Sequence, residues 1–222
     1  MDDKVRENID YISKKHVFRI SHSVDENTAF ATFKELKKCH CLEKVGQIYF
    51  SLENGEPPAY LAEFTDTKDV RIYHSPQCKD ISWVSGFAEL KTLHICESQV
   101  DDLSWLKSMH KLKWLEISDS PISDLSILRD HSDIQMLHLA GINISDIGFI
   151  ENYRNLTGLT LFDCPVEDCS LLYSLPSCLC FLEIDKKTAK KLDLEKLREK
   201  HIGIDIRVDN EVYDWEWLYN LL

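Results

Sequence analysis

Residues 90–177 can be written as four lines of equal length: LKTLHICESQVDDLSWLKSMHK from Leu90, LKWLEISDSPISDLSILRDHSD from Leu112, IQMLHLAGINISDIGFIENYRN from Ile134 and LTGLTLFDCPVEDCSLLYSLPS from Leu156. Each line starts 22 residues after the one before, and no gap is needed to align them. Fixed self-similarity at such a period is the mark of a solenoid, in which each unit buries its apolar face only against its neighbours. The first, fourth and sixth positions are apolar in every line, as in Leu112, Leu115 and Ile117 or Leu156, Leu159 and Leu161. Residues two apart on a strand share a face, so the fourth and sixth point into a core. The third, fifth and seventh then point the other way, and successive strands stack in parallel.

The second half of each line carries a short acidic motif: Val100-Asp101-Asp102-Leu103-Ser104, Ile122-Ser123-Asp124-Leu125-Ser126, Ile144-Ser145-Asp146-Ile147-Gly148 and Val166-Glu167-Asp168-Cys169-Ser170. The recurring Asp is an acceptor for free N–H groups at the start of a helical turn. It does not make a calcium site, because one Asp per turn followed by an apolar residue lacks the several oxygens calcium needs. The pairs Trp105-Leu106, Ile127-Leu128, Phe149-Ile150 and Leu171-Leu172 close the convex side.

This phase of LxxLxL and I-x-D-L-S resembles the leucine-rich repeats of the internalin and protein-phosphatase-regulator type, over roughly residues 68 to 186. The resemblance implies an α/β fold: a curved leucine-rich repeat solenoid with a parallel concave sheet. Its function carries over only as protein binding, since one fold hosts many roles. One departure stands out. The family places Asn at the ninth position, where its amide bridges turns; here the position holds Ser98, Ser120, Ile142 and Cys164. The turns are therefore expected to be less rigid or differently hydrogen-bonded.

Outward from the repeats, residues 68–89 form a degenerate unit. Val70 and Ile72 supply its strand, Asp80-Ile81-Ser82 keeps the acidic motif, and a one-residue slip points to a bulge near Pro76. A sixth copy begins near Leu179, again shifted by one. Three organisational units follow: an N-terminal α+β cap over 1–66, repeats over 67–187, and a C-terminal helix-strand-aromatic cap over 188–222. In the first, Val5, Ile9 and Ile12 predict a helix and Val17-Phe18-Arg19-Ile20 a strand. Asp25 caps a helix through Phe30, Phe33 and Leu36, and a second strand spans Gln47 to Leu52. In the last, a helix is expected over Thr188–Lys200, a strand with Ile202, Ile204, Ile206 and Val208 alternating, and an aromatic tail from Val212 to Tyr219.

The chain has 222 residues and a net charge of −12. That excess argues against nucleic acid and anionic membranes, both of which need a basic face. No apolar stretch follows a basic start, and none approaches the length of a membrane span. A cytoplasmic location is expected, with the eight cysteines as thiols; two N-x-S/T sequons are then chance matches. Cys39-His40-Cys41 and Cys178-Leu179-Cys180 lack zinc spacing, and no nucleotide, phosphate or hydrolase motif appears. No cofactor or metal is expected.

The outward positions and their neighbours name the candidate surface: Tyr73; His94 and Glu97; Trp114, Glu116 and Asp119; Met136 and His138; Phe162 and Asp163; Phe181 and Glu183. Large apolar side chains beside acids at wet positions suggest an interface with anchors. The four regular repeats carry 13 Asp+Glu against 6 Lys+Arg, a net of −7, so the expected partner is a basic protein steered by long-range attraction. His94, Glu116 and His138 fall in one row across neighbouring strands, a pH-sensitive set with no nucleophile beside it. The reading is a non-enzymatic protein-binding module, monomeric when free, of the immunity-protein or toxin-inhibitor kind. A scaffold subunit is the alternative, and an enzyme using the histidine row the remotest.

Overall fold

A computed structural model describes residues 1–209. Among these residues one sheet of nine parallel strands runs in strict chain order. The strands are β1 (Val17–Ile20), β2 (Gln47–Phe50), β3 (Asp69–Ile72), β4 (Thr92–Cys96), β5 (Trp114–Ser118), β6 (Met136–Ala140), β7 (Gly158–Phe162), β8 (Phe181–Ile184) and β9 (Asp205–Val208). The fold is the curved α/β solenoid that the repeat implies. The aromatic tail expected over Val212–Tyr219 lies outside the described residues.

The core follows the phase. Leu93, Ile95, Leu115, Ile117, Leu137, Leu139, Leu159 and Leu161 are fully enclosed. They meet the convex residues Leu106, Leu128, Ile150 and Leu172, which sit in short 3-10 turns. Each turn starts as the motif dictates. The carboxylates of Asp80, Asp102, Asp124, Asp146 and Asp168 accept from the N–H two residues on, at 2.7 to 2.8 Å. Polar side chains tie one turn to the next on this side: the Tyr153 hydroxyl donates to the Leu128 carbonyl at 2.9 Å, and His131 Nε2 contacts that of Leu106 at 3.0 Å.

The missing amide ladder has a substitute. Ser75 Oγ accepts from the Leu52 N–H, and Ser98 Oγ lies 3.0 Å from Ser120 Oγ. Further along, Cys164 Sγ donates to the Leu139 carbonyl of the preceding turn at 3.6 Å instead. Hydroxyl bridges thus serve the first turns and a buried thiol the later one. Both slips are also located. Asp69 pairs with Thr92, an offset of 23, and the extra residue is taken up in a turn closed by Cys78 N–H to the Ser75 carbonyl. Gly158 pairs with Phe181, again 23 apart. There Leu175 is held extended (φ −61°, ψ 161°) because Pro176 follows it, which lengthens the loop by one residue.

At the N-terminus α1 (Asp3–Lys15) and α2 (Glu26–Lys38) are capped by Asp2 and Asp25. The strands expected within the N-terminal cap join the same sheet: Gln47 pairs with Asp69 at an offset of 22, and Val17 with Gln47. At the other end two expectations are corrected. The helix expected over Thr188–Lys200 is two shorter ones, α3 (Lys186–Ala189) and α4 (Leu194–Lys200). Asp185 and Asp193 each cap a separate start, and a side-chain acceptor there opens a new helix. The last strand begins only at Asp205, because Gly203 takes a left-handed backbone (φ +84°) and leaves Ile202 almost fully exposed.

Candidate functional site

On the face opposite the core the strands carry three rows in register. The first runs Asp69, Thr92, Trp114, Met136, Gly158, Phe181 and Asp205. The second runs Arg19, Tyr49, Arg71, His94, Glu116, His138, Thr160, Glu183 and Arg207. The third includes Cys96, Ser118, Ala140 and Phe162. The candidate residues are thus brought onto one surface, as their phase requires.

Their exposure differs from the expectation. His94, Trp114, Met136, His138, Phe181 and Glu183 were expected at wet positions and are buried, between 2% and 6% exposed. The reason lies across the strands. The Trp114 ring packs on His94 at 5.3 Å between centroids. Met136 lies over Gly158, where a Cβ would collide with its sulfur and methyl. The Phe181 ring carries the Arg207 guanidinium at 5.1 Å. Trp114 and Met136 form an apolar cluster of their own, separate from the solenoid core. Tyr73, Glu116 and Phe162 are half-buried, and Glu97, Asp119 and Asp163 are exposed.

The middle row is a charged network. His94 Nδ1 contacts both the Glu116 carboxylate and the Tyr73 hydroxyl, the latter at 2.9 Å. Cys96 Sγ donates to the other Glu116 oxygen at 3.3 Å. Burial would raise the Glu116 carboxyl, but the hydrogen bond from His94 and the fields of His94 and His138 hold it at about 2. Burial drives His138 down to about 4, against the pull of Glu116. Burial also pushes the Cys96 thiol far up, and Glu116 adds to it; a thiol so held is not a nucleophile at neutral pH. Glu183 is raised, first by burial, and accepts from Thr160 at 3.5 Å.

Exposed carboxylates gather on one rim of this face. Left-handed corners follow the central strands: His74 (φ 44°) two residues after β3, and Glu97 (φ 52°), Asp119 (φ 45°), Gly141 (φ 60°) and Asp163 (φ 47°) directly after β4, β5, β6 and β7. Glu97 pairs with His74 at 2.6 Å. The Asp119 carboxyl is raised, by partial burial first and then by Glu97 and Asp163. The like charges therefore act on one another along this edge.

Sequence reasoning missed Arg19 and Tyr49 as members of the surface. The signal was present: Ile48 and Phe50 stand 22 residues before Val70 and Ile72. Among the described residues no group of three or more His, Cys, Asp or Glu is placed to hold a metal ion. None of the described helices is long and apolar enough to cross a membrane.

No family model matches the sequence, and no curated protein matches it either. Solved structures do. The chain is similar to internalin C2 of Listeria monocytogenes, with 25% identity and a TM-score of 0.57 over 64% of this chain and 62% of that one. It is similar to a second internalin of that organism, inlF, with 20% identity and a TM-score of 0.62 over 78% of this chain and 56% of that one. A leucine-rich repeat protein of Leptospira interrogans matches at 18% identity and a TM-score of 0.50, over 77% of this chain and 38% of that one. The chain thus spans less than two thirds of the length of each of these structures.

Proposed function

We propose that this leucine-rich repeat protein is a non-enzymatic binding module for a basic protein. The observation that carries the reading is the rim: Glu97, Asp119 and Asp163 are exposed at left-handed corners, with Gly141 between the last two, and the Asp119 carboxyl is raised by partial burial and then by the other two acids. Crowded exposed carboxylates are relieved by a cationic partner, which also gains on-rate from the long-range field. Tyr73, Glu116 and Phe162, half-buried beside that rim, supply contact surface. The buried members, Trp114, Met136, His94, His138, Phe181 and Glu183, hold the surface in shape. All eight cysteines are free thiols, which suits a reducing cytoplasm. A small acidic module of this kind fits an inhibitor, such as an immunity protein blocking a toxin.

The test is a triple variant, Glu97→Gln with Asp119→Asn and Asp163→Asn. Proteins retained on the wild-type chain are identified by mass spectrometry, and the affinity of each is measured across a salt series. A basic partner is expected whose affinity falls with salt and drops at least tenfold in the triple variant. Retention of no basic protein, or an affinity indifferent to both salt and the triple variant, overturns the proposal.

A further inference from the structure

Arginine occupies the middle row three times, as Arg19, Arg71 and Arg207. Two of them carry an internal counter-ion. Arg71 grips Asp69, two residues earlier on its own strand, through Nε at 3.0 and 3.2 Å and Nη2 at 2.8 Å. Arg207 does the same with Asp205 at 2.9 Å. In β1 the corresponding position is Val17, which stands in register with Gln47 and then Asp69. Arg19 therefore has no acid where the other two have one.

The groups in direct contact with the Arg19 guanidinium are polar but neutral. Its Nη2 donates to the Tyr11 hydroxyl at 3.1 Å. The guanidinium lies 5.3 Å from the ring centres of both Tyr11 and Tyr49. Nε is enclosed without a hydrogen-bond partner. A half-buried cation with so few of its donors used is costly unless an anion completes it. Arg19 also lines a cavity of about 320 Å³ between α1, the turn after β1 and the start of α2. That volume is at the small end of ligand pockets.

We infer that this cavity binds a small zwitterionic carboxylate of the α-amino-acid type, with its carboxylate on Arg19. A planar guanidinium held between two tyrosine rings matches a carboxylate through paired N–H bonds. The other walls carry Lys4, Glu7 and Asp25, so with Arg19 the charges of the cavity balance, which suits a ligand bearing both signs better than a multiply charged anion. Asp25 is already committed to Thr28, through the backbone N–H at 3.0 Å and the hydroxyl at 2.9 Å. Glu7 remains for the ligand's ammonium group. The site is separate from the acidic rim and does not depend on the partner proposed above.

Calorimetric titration of the purified chain tests it, with the twenty free α-amino acids, acetate and inorganic phosphate as probes. At least one amino acid is expected to bind with a Kd below about 1 mM, and acetate and phosphate at least tenfold more weakly. Arg19→Gln is expected to abolish binding. Val17→Asp, which installs the counter-ion that β3 and β9 carry, is expected to abolish binding while the thermal midpoint holds or rises, so loss of the site is distinguished from loss of the fold. Binding by no amino acid, binding that survives either variant, or phosphate binding tighter than every amino acid would sink the assignment.

Discussion

His94 on β4 and Glu116 on β5 are register partners, and the imidazole Nδ1 of one contacts the carboxylate of the other with His94 only 2% exposed. On the far side of Glu116 stands His138, buried and driven down to about 4 from its usual 6.5. Both groups make the fold sensitive to acid, in two windows. His138 has a lowered pKa, so the unfolded chain takes its proton first and stability falls as the pH drops from about 6.5 to about 4. Glu116 is depressed from 4.5 to about 2, so its contribution is present above 4.5 and is lost as the pH falls toward 2. Urea denaturation at pH 7.5, 5.5 and 4 is expected to show a loss of up to about 3 kcal/mol from the first window alone. His138→Gln should flatten that slope; an unchanged slope in the variant would refute the role given to His138.

The convex carboxylates are predicted to act independently. Asp80 and Asp146 cap turns three repeats apart, each with a 2.7 Å bond to the N–H two residues on. Replacing either by Ala is expected to cost about 1 kcal/mol, and the double variant about twice that, since distant sites add. Chemical denaturation of the two single variants and the double measures it, and strong non-additivity would show that the turns communicate.

Gly141 breaks the column of rim acids for a local reason. Its backbone is left-handed (φ +60°), and the Asp119 carboxylate occupies the space a Cβ would take. Gly141→Ala is expected to lower stability by about 2 kcal/mol, from left-handed strain plus the collision. In an Asp119→Ala background the cost should fall to about 1 kcal/mol, the strain alone. A double-mutant cycle read by urea denaturation separates the two.

Tyr153 is fully buried and spends its hydroxyl on the Leu128 carbonyl of the preceding turn. Tyr153→Phe keeps the ring but removes one of that carbonyl's two bonds, leaving only the His131 N–H at 2.9 Å, at a cost of about 1 kcal/mol. Hydrogen exchange should show faster opening of the turn around Leu128. Exchange unchanged there, with stability unchanged, would mean that water replaces the hydroxyl.

The acidic rim and the Asp caps were legible because they depend on short-range geometry. A carboxylate two residues before an N–H meets it whatever lies beyond the turn, and side chains alternate along a strand by covalent geometry alone. For the same reason the enclosed residues Leu93, Leu115, Leu137 and Leu159 could be named from phase. Proline at 176 likewise announces its own slip, since it holds Leu175 extended.

The 22-residue frame by itself determined the solenoid, the core and the surface on which the candidate residues meet. Only the tertiary structure decided which of them remain open. Trp114 is buried by His94, a residue 20 positions earlier, and Met136 by the gap at Gly158, 22 positions later. That Val17 deprives Arg19 of the acid two residues earlier is written in the sequence, but only the packing of α1 against β1 sets Arg19 beside Tyr11 and in a cavity. Phase tells which way a side chain points; what it meets there belongs to other turns, and exposure and charge balance are set by those neighbours.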